Sequence, residues 1–118
     1  LAGGAAEFLD ENDPALLRGA ALERTMRGST WSYKTVYGDP ATFELHPDGR
    51  LSGLAGHANE EWDEGRWWVE GDLWCRQWKQ WAYGEPARYY ITLQGQQLRL
   101  YNTSKRLADS AILQTRSD

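Results

Sequence analysis

Gly65-Arg66-Trp67-Trp68-Val69-Glu70-Gly71-Asp72-Leu73-Trp74-Cys75-Arg76-Gln77-Trp78-Lys79-Gln80-Trp81 holds two extended segments around a tight turn. Gly71-Asp72 signals a hairpin, because glycine accepts the positive φ that such a turn demands. Before it, Arg66 to Glu70 alternates, with Trp67 and Val69 on one face and Trp68 on the other. After it, Leu73, Cys75, Gln77 and Lys79 share one face, and Trp74, Arg76, Trp78 and Gln80 share the other. Both faces carry contact-capable residues, so the period leaves open which one turns inward.

The same rhythm extends in both directions. Upstream, Trp31, Tyr33, Thr35 and Tyr37 alternate with Ser32, Lys34 and Val36, and Gly38-Asp39-Pro40 turns the chain. Thr42 to His46 places Phe43 and Leu45 on one face, Pro47-Asp48-Gly49 turns, and Arg50 to Ala55 reads as a glycine-bearing strand. His57 to Glu64 reads as a polar, acidic loop. Downstream, Tyr83-Gly84-Glu85-Pro86 breaks the long strand. Arg88 to Gln94, Gly95-Gln96 and Gln97 to Asn102 then form another hairpin, and a last strand is expected from Asp109 to Gln114. About eight short strands at tight spacing predict an antiparallel meander that closes into a barrel and so removes exposed edges.

Before Gly28 the period is helical. Leu16, Leu17, Ala20, Ala21 and Met26 fall on one face, widened by Leu22, and predict one helix over about 14–27. Asp13-Pro14 reads as its start, Arg24 and Arg27 suit its last turn, and Gly28 its stop. Residues 1–13, with Glu7, Asp10, Glu11 and Asp13, read as a flexible N-terminal segment. Residues 14–118 read as a single domain.

Composition bounds the function. The chain has 118 residues, a formal charge of -4 and 25% charged residues, with a mean hydropathy of -0.72 and a pI near 5.2. A sequence-independent nucleic-acid binder needs a basic surface, so no nucleic-acid partner is expected. No apolar run approaches the roughly 18 residues of a membrane span. The sequence carries no signal for an oligomeric state. One cysteine, Cys75, forms no intramolecular disulfide, and no Cys/His spacing suits zinc, so no metal and no cofactor are expected. The plain reading of Cys75 is a small buried hydrophobe. A catalytic thiolate would need a neighbouring His or a helix N-terminus, which its aromatic strand context does not offer.

Gly65 to Trp78, with its G-x-W strand, turn and C-x-x-W strand, resembles a recurring pattern of small exported bacterial proteins catalogued as a domain of unknown function. Gly28-Ser29-Thr30-Trp31 and Pro47-Asp48-Gly49-Arg50 resemble the same family's opening and turn, and the resemblance covers roughly residues 15–114. It implies a lipocalin-like (calycin-like) β-barrel in the periplasm or secreted. Leu1-Ala-Gly-Gly-Ala-Ala6 fits a start from which an export signal has been removed. The family's second cysteine would fall near Ala87, where this chain has none, so the relatives' disulfide is absent. The resemblance supplies no activity and no catalytic residues.

Seven Trp and six Tyr stand against two Phe, a balance suited to half-wet surfaces rather than a dry core. Trp31, Tyr33, Trp67, Arg76, Trp78, Tyr89 and Tyr101 are the candidate ligand-binding residues. Inward aromatics of a small barrel can simply fill it. Alternatively they can wall a cup for a small, partly apolar or flat aromatic ligand, with a few polar groups to orient it. Arg76 and Arg88 could oppose each other across the hairpin or sit near Glu85, and an arginine beside indoles can hold a carboxylate or stack. If the Trp74/Trp78 face were outside, it would be an aromatic patch for a partner, as in an interaction or envelope-structural domain. His57 with Glu60 or Glu61 is the weaker alternative, an acid/base pair of a hydrolase-type enzyme, and no nucleophile accompanies it. The first expectation is a noncatalytic binder with no catalytic residues.

Overall fold

The computed structural model describes residues 7–35 and 37–116, and carries the alternation into eight antiparallel strands. They are β1 (Ser29–Lys34), β2 (Pro40–Leu45), β3 (Arg50–Ala55), β4 (Glu61–Glu70), β5 (Leu73–Trp78), β6 (Ala87–Gln94), β7 (Gln97–Tyr101) and β8 (Leu107–Arg116). Each pairs with the next, and β8 returns to β1 with Leu113 opposite Trp31, which closes the barrel. Closure at this strand number leaves an interior wide enough for side chains or one small ligand. The mainly β up-and-down barrel with one short helix is thus the architecture that the two-residue period implied. The expectations for Leu1 to Ala6 and for Val36 fall outside the described residues.

Two expectations about β4 and β5 are corrected. The acidic loop over His57–Glu64 is half strand: Glu61, Trp62 and Asp63 pair with Ala55, Leu54 and Gly53 of β3. Backbone pairing prevails over acidic composition because Glu60, Glu61 and Glu64 stay exposed and the one buried carboxylate, Asp63, accepts backbone hydrogen bonds. β5 stops at Trp78, not Trp81, where the chain bends into a single 3-10 turn, Trp81–Gly84. Ala82 (φ 54) and Tyr83 (φ 58) there adopt the left-handed conformation that L-residues avoid.

The helix is shorter than its apolar spacing predicts. α1 spans Gly19–Met26, not 14–27. Ala15 to Leu17 are drawn into an extended bridge on the part of β6 that β5 does not cover: Leu93 N–H donates to Ala15 O (3.0 Å) and Leu17 N–H to Ile91 O (2.9 Å). Asp13 therefore closes a turn onto Ala15 N–H (2.9 Å) instead of capping a helix. The cap comes from far along the chain, where Asp72 in the β4–β5 turn accepts from Gly19 N–H at 2.9 Å.

The segment before it is an ordered strap. Glu7 and Leu9 exchange backbone hydrogen bonds with Leu107 and Lys105. Leu9 and Leu16 bury Tyr101 against the outer face of the barrel beside Tyr90 and Leu107. α1 then crosses one end, the end of the β2–β3, β4–β5 and β6–β7 turns. Leu22 and Met26, one turn apart and fully buried, plug it over Leu45, Leu51, Trp67 and Leu98. Burying each such side chain contributes about 1.5–3 kcal/mol. The core fills the plugged end, and the opposite end is left for a site.

Candidate functional site: an aromatic cup

Strand alternation sends Trp31, Tyr33, Phe43, Trp74, Arg76, Trp78, Tyr89 and Asp109 to the inside, where they wall a cavity of about 490 Å³ open at the unplugged end. Which face of β5 points inward is thereby settled: it is the Trp74, Arg76, Trp78 face. The alternative of an external Trp74/Trp78 patch is ruled out.

The rings are in contact with one another. Trp31 and Trp74 form the floor, with centroids 4.7 Å apart at 42°, and Trp74 stacks on Tyr89 at 6.3 Å. On the other wall Tyr33 stacks on Phe43 at 5.4 Å, Phe43 meets Trp78 at 5.1 Å, and Trp78 meets Trp81 at 4.8 Å. Gly53 makes the last contact possible. A Cβ there would lie 2.4 Å from Trp81 Cζ3 and 2.8 Å from Trp78 Cη2.

Trp81 is brought to the cup by a buried carboxylate. Asp63 accepts from the backbone N–H groups of Gln80 and Trp81, both at 2.8 Å. Burial works most strongly against its ionisation, yet the N–H groups of Trp81, Gln80 and Glu64, with the Lys79 charge, together hold its pKa below the usual aspartate value.

The cup's polar groups are few. Arg76 Nη2 donates to Tyr89 Oη at 3.1 Å, and its guanidinium carbon lies 5.7 Å from that ring's centroid. Burial, then the neighbouring Asp109 carboxylate, push the Tyr33 phenol up to about 12. Trp31 Nε1–H donates to Ser29 Oγ at 3.1 Å and Trp67 Nε1–H to His46 O at 2.9 Å. Trp74 Nε1–H and Arg76 Nη1, by contrast, are buried and have no partner.

Of the seven residues expected to bind, Trp31, Tyr33, Arg76, Trp78 and Tyr89 line the cup. Trp67 does not: it points inward at the plugged end, where Leu22 and Met26 cover it. Tyr101 does not either. Alternation along β7 sends Leu98 and Leu100 inward and Tyr101, with its partner Tyr90, outward under the strap, where its hydroxyl meets Glu7 at 3.2 Å. Arg88 faces away from Arg76 and pairs with Glu70 at 3.3 Å outside the barrel. Trp74, Phe43, Trp81 and Asp109 were missed. Trp74 shares its face with Arg76 and Trp78 and could have been chosen with them. Trp81 depends on a non-helical bend that no period announces.

His57 is 81% exposed at its side chain, and its ring faces Asp39 at 3.5 Å rather than Glu60 or Glu61. The pair with Glu60 or Glu61 is therefore not formed, and the residue does not line the aromatic cup. Among the described residues, no group of three His, Cys, Asp or Glu could hold a metal ion, and no helix is long and apolar enough to cross a membrane. Comparison with known proteins finds no matching family model, and no curated protein or solved structure that matches at a significant level.

Proposed function

We propose that the chain is a noncatalytic binding protein that holds a small, partly apolar ligand in the aromatic cup. The observation that carries this reading is the cavity itself. At about 490 Å³ and ring-lined, it falls within the roughly 300–1,000 Å³ of small-molecule sites. A barrel built only for stability would fill both ends, whereas here the helix plugs one and the other stays open. Native mass spectrometry of freshly purified protein tests the proposal, together with Trp fluorescence titration against flat and aliphatic probes. Retained mass or a saturable change is expected. A bare mass with no response to any probe overturns the reading.

Kinship with the exported lipocalin-like proteins, and a periplasmic or secreted location, are part of the same proposal. The barrel topology supports the first, and the G-x-W and C-x-x-W residues support both. Cell fractionation checks the location. A surface-interaction role has one observation in its favour: Trp62 is 68% exposed beside Leu54 at 42%, its cross-strand partner. Pull-down with Trp62→Ala as control separates that role from the cup.

A further inference from the structure

This inference rests on the binding reading above and names the chemistry of the ligand's polar end. Two donors on the cup wall, Trp74 Nε1–H and Arg76 Nη1, are buried without a partner. They belong to alternate residues of β5, about 7 Å apart along the strand, and both flank Tyr89.

Arg76 is also set apart by charge. Among the described residues, Arg18, Arg27, Arg50, Arg88 and Arg99 each sit against a carboxylate. Arg24, Arg66 and Arg106 do not, but they are exposed, whereas Arg76 lacks such a partner while half-buried in the cup wall. Its neighbours supply a phenol oxygen and a ring face, which are a dipole and a quadrupole but not a countercharge. A half-buried guanidinium with a covered Nη1 and no carboxylate in contact, beside a buried indole N–H without an acceptor, is costly in the empty protein and is relieved by an anion.

The geometry points to a ligand that carries a carboxylate, its oxygens directed at Arg76 Nη1 and Trp74 Nε1–H and its apolar body against Trp31, Phe43 and Trp78. A planar monoanion suits the guanidinium fork. A dianion suits the cup less, because Asp109 stands on the Tyr33 side and Asp39 and Glu61 also line the cavity.

The test compares decanoate and naphthoate with their primary amides, which keep shape and a carbonyl but lose the charge, on the full chain and on Arg76→Gln. Both carboxylates should bind at least about tenfold more tightly than their amides. Arg76→Gln should erase that ratio, with carboxylate affinity falling far more than amide affinity. The Trp74 indole N–H resonance, assigned by its loss in Trp74→Phe, should shift with the carboxylates. The ratio and the resonance are read on the natural chain and survive a variant that misfolds. Equal affinity for acid and amide overturns the carboxylate assignment and leaves the binding reading standing, since water would then be serving the two donors. If neither acids nor amides bind, the binding reading falls and the assignment with it.

Discussion

Cys75 is outward-facing on β5 but wholly covered, with Glu70 Oε2 3.7 Å from its sulfur. Burial pushes its thiol up to about 11, and the Glu70 charge adds to the effect. At pH 8 the folded protein therefore holds almost no thiolate. A disulfide reagent should react many times faster after denaturation than before it, and a native rate equal to that of a free thiol would refute the burial. A second single-residue effect is strain. Tyr83 is 95% exposed and left-handed, and glycine pays no Cβ penalty there. Tyr83→Gly should raise stability by about 0.5–1 kcal/mol in urea unfolding; a loss would mean that the phenol has a contact of its own. At this scale the sequence was most legible where parity rules. Alternate spacing groups Trp31 with Tyr33 and Arg76 with Trp78 on shared faces, although it left open which face of β5 turns inward. Tyr101 was chosen against parity, since it alternates with the inward Leu98 and Leu100, and Trp67 was misplaced because parity gives the side of a strand and not the height along the barrel.

The helix and the 3-10 turn show what local signals leave out. α1 is held at its start by Asp72, which stands 53 residues from Gly19, and no window of sequence around the helix contains it. Leu22→Ala should cost about 2–5 kcal/mol, because the cavity it leaves is walled by other core side chains. Its measurement by chemical denaturation tests the plug. The turn that carries Trp81 hangs on Asp63, whose pKa is lowered on folding. A lowered carboxylate contributes stability that is complete above its unfolded value, about 3.9, and lost as pH falls through the folded value below it. The melting-temperature gap between the natural chain and Asp63→Asn should therefore be widest near neutral pH and shrink below about pH 4. A gap unchanged down to pH 2 would show that the charge does not hold the turn.

For the whole molecule, the fold class was readable because a barrel needs little more than repeated alternation and turns at the right spacing. Strand order was left open by the sequence, and the structure shows each strand beside the next. The cup was not readable, since openness depends on which end the helix covers, and that is settled by contacts between Leu22, Met26 and strands far along the chain. The β1–β8 ladder has a further consequence for how the protein comes to exist. Trp31 on the first strand pairs with Leu113 on the last, so that seam forms only after β8 has emerged. Refolding should accordingly be slow for the protein's size, on the order of milliseconds to seconds. A nascent chain halted before β8 would present two unpaired borders to its neighbours, and translation pausing or premature termination there should yield insoluble material rather than a partly working product.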